Sequence, residues 1–336
     1  MHHIKEGITM KKSLVTIAGI SAVALALTGC VTSPESNTTP SDDNQLRIVM
    51  LLNDQFDPYY LTLVTGAEAK AAELGIEFEW QAPTTLDVAS QTQLLQSVAA
   101  TRPDGIIMSA LDADAMVAPM QAVMDSGIPI ITVDSDVNDE SARLGTVKSN
   151  GLIAGKQAAD FAAELIGEKG KAGYIGYIPG IQSVDIRLEG WTDQLTKYAD
   201  IENVGDEYAG ADVSDNVEKT SALLSRERDL DVIFASWTNA TIGAAQAVQQ
   251  SGRDVAVIGM DASPDEVSLL ERGLVAALIV QKPYDMGGIA VEELAKYLLN
   301  GESPESETLL DAVVATQENM NDAEVKIYFY TNPEGR

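Results

Sequence analysis

The chain has 336 residues, 45% of them apolar, and a net charge of −29 at pH 7 from 51 acidic against 22 basic residues. A surplus of that sign repels nucleic acid, which excludes DNA or RNA as the principal partner. The only histidines, His2 and His3, and the single cysteine, Cys30, cannot assemble a Ser-His-Asp triad, a Cys-His dyad, a zinc site or a disulfide framework, so no metal or cofactor is expected, while chemistry run by paired carboxylates stays open.

Residues 1–29 read as a secretory leader. Lys11 and Lys12 precede an apolar run too short to span a membrane comfortably, and the run ends in Leu27-Thr28-Gly29-Cys30. That ending is similar to the bacterial lipobox, which implies that the Cys30 thiol takes a diacylglyceryl group and becomes the first residue of the mature chain; Met10 offers a second start. Removing the leader takes away three lysines and one glutamate and leaves a net charge of −31. The charge is spread along the whole chain, as on a well-solvated surface. Residues 30–45, with Pro34, Pro40 and many small polar side chains, read as a lipidated flexible tether.

From Leu46 onward, apolar runs alternate with amphipathic stretches of helical length. Strands are expected at 47–52, 76–80, 105–110 and 128–133, separated by helices at 60–74, 86–100 and 113–126. Gly75 and Gly127 stand where the first and third helices should stop. A second series follows, with strands at 172–178, 201–208 (the weakest), 230–236, 255–260 and 274–280, and helices near 152–166, 185–198, 214–226 and 240–251. Strand alternating with helix gives a parallel sheet covered on both faces. The fold class is therefore α/β, with two doubly wound parallel-sheet lobes.

In such sheets a ligand sits beyond the carboxyl ends of the strands. The first lobe places Asn53, Asp57, Tyr59 and Tyr60 there after its first strand, Ser109 and Asp112 after its third, and Asp134, Ser135 and Asp136 after its fourth. The second lobe places Gln182, Asp185, Arg187, Trp237, Asn239, Asp261 and Gln281 at the matching ends. Acceptors predominate, with one guanidinium fork and several flat rings. That composition suits a ligand with many hydroxyls, whose O–H groups donate to carboxylates and amides and whose C–H faces pack on rings.

Along nearly all its mature length the chain resembles the type I periplasmic substrate-binding proteins of the ribose/galactose-binding group, the receptor subunits of sugar ABC transporters. The resemblance rests on LLNDQFDPYYLTLVTGAEAKAAELG, DGIIMSALDADAM, GIPIITVDSDV followed by SNGLIAGKQAAD, RLEGW at 187–191, VIGMDASPDE and ALIVQKPYDMGGIA, in this order. It implies that Asn53, Asp57, Tyr59, Tyr60, Ser109 and Asp134, with Ser135 beside it, line one wall of an interlobe cleft, that Arg187, Trp237 and Asp261 line the other, and that Gln281 lies at the crossover. It also implies three hinge segments, at 146–150, 280–284 and 311–317. Lobe one is then 46–148 plus 283–311, and lobe two 149–282 plus 312–330. The expected partners are a sugar or polyol, ABC permease subunits and, through Cys30, the extracytoplasmic face of a membrane; the expected state is a monomer.

Three departures bear on the ligand. Ribose binders carry an arginine where this chain has Ser135, Trp237 stands where many relatives open an Asn-Asp pair, and Ala211 falls near the second lobe's usual aromatic. They point away from ribose toward another monosaccharide or a cyclic polyol such as an inositol, with Trp237 expected to replace the missing ring. Asp57 is equally placed to cap a helix starting at Pro58, a role compatible with ligand contact. GLIAGKQ at 151–157 has the wrong spacing for a P-loop, and DSDVNDESARLG lacks the glycine and final glutamate of a calcium loop. Competing readings are a carboxylate glycosidase, a sensor subunit for a membrane receptor, and a receptor for a cationic amine held by acids and rings. A DNA-binding repressor is excluded by the leader, the acidity and the lack of a helix-turn-helix ahead of Leu46.

Overall fold

The computed structural model describes residues 45–179 and 182–330. The expected leader and, apart from Gln45, the expected tether with Cys30 lie outside them. The first lobe runs β1 (Arg47–Leu51), α1 (Pro58–Leu74), β2 (Glu77–Gln81), α2 (Val88–Ala100), β3 (Gly105–Met108), α3 (Val117–Asp125), β4 (Ile130–Val133) and β5 (Gly145–Ser149). The second runs α4 (Gly151–Leu165), β6 (Lys169–Gly176), α5 (Gln182–Leu195), β7 (Asp200–Tyr208), α6 (Val213–Arg226), β8 (Val232–Ala235), α7 (Thr238–Ser251), β9 (Ala256–Met260), α8 (Pro264–Glu271) and β10 (Ala277–Val280). The chain then returns to the first lobe for α9 (Pro283–Asn300) and β11 (Glu307–Leu310), and crosses once more to give β12 (Val313–Ala315) and the short α10 (Ala323–Lys326).

The two sheets have matching strand orders, β11-β5-β4-β3-β1-β2 and β12-β10-β9-β8-β6-β7. Position by position, β4 corresponds to β9 and β5 to β10. Neighbours in the first sheet are parallel throughout. In the second, β12 departs from the expected parallel pattern and runs antiparallel to β10, because only Asp311 and Ala312 separate it from β11 in the other sheet.

The strands read most clearly from sequence are those buried on both faces: every residue of β3, β4, β8 and β10 is buried. Strand β2 instead exposes Glu77, Glu79 and Gln81 in alternation, a charged edge that discourages pairing with another chain. Helix α1 begins at Pro58, two residues before the expected start, because Asp57 caps it through a 2.9 Å hydrogen bond from the Tyr59 N–H. It ends where Gly75 adopts the left-handed conformation, φ 69°, and bonds back to Ala71 and Ala72 carbonyls. Helices α1 and α9 pack together in the first lobe, as α4 and α5 do in the second.

Candidate functional site

Asp134 follows β4 and Asp261 follows β9, so the two occupy the same place in the two lobes. Each has a positive φ, 65° and 84°, in a region that aspartate enters more readily than most side chains. Each donates its backbone N–H to the neighbouring strand, Asp134 to Val147 at 2.9 Å and Asp261 to Ile279 at 3.1 Å. The left-handed turn swings both carboxylates off the sheet ends and into the space between the lobes.

Both carboxylates are held by neutral donors. Tyr59 Oη donates to Asp134 Oδ1 at 2.7 Å, Tyr60 Oη to Oδ2 at 3.0 Å, and Ser135 Oγ to Oδ2 at 3.2 Å. On the other side Gln281 Nε2 donates to Asp261 Oδ1 at 2.5 Å, Tyr330 Oη to the same oxygen at 2.8 Å, and Thr238 Oγ1 to Oδ2 at 3.3 Å. Burial raises the Asp134 pKa above the ordinary carboxylate value, while the tyrosine and serine bonds and the Arg187 charge act in the opposite direction. Burial, followed by the Asp134 charge, drives the Tyr59 and Tyr60 phenols well above their usual range, which keeps them neutral donors.

Asp57 reaches the same space from the start of α1 while still capping that helix. It keeps contact with solvent, yet the surrounding protein pushes its carboxyl up to about 6; the Tyr59 N–H lowers it, and the charges of Asp261, Asp54 and Asp134 add to the rise. Tyr59 and Tyr60 meet edge to face with centroids 5.3 Å apart, and Tyr59 meets Tyr330 in the same way at 5.3 Å. Trp237 caps α7 by position and lies 4.8 Å from the Tyr177 ring; its buried Nε1 has no hydrogen-bond partner among the described residues.

These groups surround a cavity of about 380 Å³. Its wall combines Asp57, Tyr59, Tyr60 and Asp134 from the first lobe with Trp237, Asn239, Asp261, Gln281 and Tyr330. The volume falls in the range of small-molecule sites. The expected site residues thus divide into two groups. Asp57, Tyr59, Tyr60, Asp134, Trp237, Asp261 and Gln281 converge on the cavity wall.

Asn53, Ser109, Ser135 and Arg187 stand behind it. Asn53 is buried, donates to Tyr60 Oη at 3.0 Å and Ser109 Oγ at 3.1 Å, and accepts from Gln91 Nε2 at 2.9 Å, so its polar atoms are engaged inside the first lobe. Arg187 is buried at the crossing of α4 and α5. A Cβ on Gly155 would come within 2.0 Å of the Arg187 carbonyl oxygen, and one on Gly190 within 2.1 Å of the Leu152 carbonyl oxygen. Arg187 Nη1 donates to the Ser236 carbonyl at 2.9 Å, and its buried Nε has no partner among the described residues.

Two further acids from the strand ends have local roles. Asp112 accepts from the Asp114 and Ala115 N–H groups, and Asp136 pairs with buried Arg143 at 2.8 Å. Sequence reasoning missed two participants. Gln91, fully buried, ties Asn53 to the Ser109 carbonyl and the Leu111 N–H; nothing in the polar alternation of α2 sets it apart. Tyr330 lies beyond the last hinge segment, and the only signal was the aromatic run Tyr328-Phe329-Tyr330 near the end of the chain.

Comparison with known proteins agrees with this geometry. Residues 48–303 match the family described as periplasmic binding protein domain. The ribose import binding protein of Escherichia coli K12 is 26% identical over 305 residues, covering 89% of this chain and 97% of the relative. The D-apiose import binding protein of Actinobacillus succinogenes is 24% identical, covering 89% and 94%. Among solved structures, an ABC transporter solute-binding protein from Agrobacterium vitis bound with alpha-D-tagatopyranose has a TM-score of 0.76 at 27% identity, covering 85% of this chain and all of that one. The family match over most of the chain, on this two-lobed frame, shows that the protein belongs to the periplasmic binding protein domain family.

Proposed function

We propose that the chain is the solute receptor of an ABC importer. It captures a monosaccharide or cyclic polyol between its lobes and delivers it to membrane permease subunits. The observation that carries this reading is the pair of matched aspartates, each held as an acceptor by neutral donors, in a cavity walled by rings from both lobes. Acceptors fixed in this way favour ligands that bring O–H donors. Relatives named for ribose and D-apiose import support the sugar class, and membership of a binding-protein family supports capture over turnover of a glycoside.

In this proposal Asp57, Tyr59, Tyr60, Asp134, Trp237, Asp261 and Gln281 touch the ligand in the cavity, and Arg187, behind the wall, offers its Nε, unpartnered among the described residues, as a donor when the lobes close. Asn53, Ser109 and Ser135 act through Tyr60 and Asp134. Lobe one is 46–148 with 283–311 and lobe two 149–282 with 312–330, a division supported by the sheet each strand joins. The hinge lies where the chain crosses, at 146–150, 280–284 and 311–317. The protein works as a monomer outside the cytoplasm, anchored by lipid on Cys30.

The test is a thermal-shift screen of residues 31–336 against pentoses, hexoses, inositols, sugar alcohols, nucleosides and quaternary amines. A ligand that binds only the folded state at 100 times its Kd stabilises by about 2.7 kcal/mol, and one sugar or cyclitol is expected to do so. The amines are included because the cavity wall carries three aspartates and no basic side chain. A shift with amines alone overturns the ligand class; silence across the panel overturns the receptor reading.

A further inference from the structure

Beyond β12 the chain makes a turn held by Asn319, which accepts from the Thr316 N–H at 2.7 Å and donates to the Val314 carbonyl at 2.9 Å. The segment then runs through α10 to residues 328–330, which lie across the junction of the lobes. Tyr328 Oη donates to Asp285 in the first turn of α9 at 2.7 Å, and Lys282 Nζ sits 5.4 Å from the Tyr328 ring centroid. Two residues on, the Tyr330 N–H bonds to the Ala262 carbonyl at 3.0 Å, directly after Asp261. These two anchors leave the Tyr330 ring, 6% exposed, in the cavity wall.

We propose that Tyr330 is a specificity-determining residue of the cleft, carried there by the C-terminal segment; this rests on the sugar-receptor reading above. Three observations support it. Its hydroxyl and the Gln281 amide both donate to Asp261 Oδ1, which leaves Oδ2, with only the longer Thr238 bond, as the oxygen open to a ligand hydroxyl. Its ring meets Tyr59 edge to face from the opposite lobe, so a chain of contacts runs from Asp134 through Tyr59 and Tyr330 to Asp261 across the cleft. Finally, it gives the second lobe's side of the cavity wall a ring in addition to Trp237, whereas Ala211, near which the family resemblance expects an aromatic, supplies none. A ligand's stereochemistry is then read by one aspartate oxygen whose direction Tyr330 fixes.

The experiment compares Tyr330→Phe with Tyr328→Phe in the full soluble chain, measuring affinity by titration calorimetry for the best ligand of the sugar panel and for its epimers. Tyr330→Phe keeps the ring and removes one of the two donors on Asp261 Oδ1, leaving that of Gln281. The expected result is a loss of about tenfold for the best ligand, as for one charge-assisted hydrogen bond, with a changed rank order among epimers. Tyr328→Phe loosens the same segment without altering the cavity wall and is expected to leave the rank order intact. An unchanged order in Tyr330→Phe, or the same change in both variants, overturns the proposal even where Asp261→Ala abolishes binding and so upholds the site. Failure of the unaltered protein to bind any sugar overturns the receptor reading, and this inference with it.

Discussion

Asp134 and Asp261 owe their position to a backbone conformation that most side chains avoid, and the cost of that conformation, of order 1–3 kcal/mol each, is offset by the donors around them. Removing Asp261 leaves buried donors unpaired, and removing Arg187 leaves the Ser236 carbonyl without its donor. Asp261→Ala and Arg187→Ala are each expected to weaken sugar binding by about 2 kcal/mol or more, measured by calorimetry; near-native affinity in both refutes the site assignment. Asp57 makes a different prediction. Its carboxyl titrates near 6 when folded against 3.8 ordinarily, so between those values the native state holds more protons than the unfolded chain and stability falls as pH rises. An asparagine in its place would cap α1 as well as aspartate does but cannot titrate. The unfolding free energy of Asp57→Asn relative to the unaltered protein is therefore expected to rise from about pH 4 to about pH 7; a flat difference in urea titrations across that range counts against the assignment. At this scale the sequence exposed the acids and rings that follow strands, because a strand end is predictable. It hid Gln91 and Tyr330, whose roles arise from contacts made by remote segments.

Among the elements, the close approach of α4 and α5 is what sets Arg187 in place. A side chain at Gly155 or Gly190 meets backbone, which cannot rotate away. Gly190→Val is expected to cost about 1–3 kcal/mol or more, seen as a lower Tm of the ligand-free protein, and to weaken sugar binding further by displacing Arg187. A Tm equal to that of the unaltered protein would show that the helices separate freely. The central strands were legible because burial on both faces requires an uninterrupted apolar run. Strand β7, at a sheet edge with most of its residues partly or fully exposed, was the faintest for the same reason. Strand β12 falls within the hinge segment expected at 311–317, but its antiparallel direction left no mark in the sequence, since direction is imposed by the short link to β11 and not by composition.

For the molecule as a whole, ligand binding favours closure only through contacts made to both walls at once. Small-angle scattering should show a smaller radius of gyration on saturation with the identified sugar. An unchanged radius would mean that the lobes do not close further on the ligand. The repeated βα rhythm made both lobes legible, since each sheet uses the same order of strands. The division of the chain between them was harder to read, because α9 and β11 follow the second lobe in sequence yet join the first in space.

That return has a consequence in time. Lobe one lacks the helix that packs on α1 and the edge strand beside β5 until residues 283–310 have been made, so a chain growing from its N-terminus cannot finish its first lobe until almost all of it has been synthesised. Pairing over such long separations is slow to form. A polypeptide with this order of segments therefore completes its two lobes nearly together, late in its synthesis.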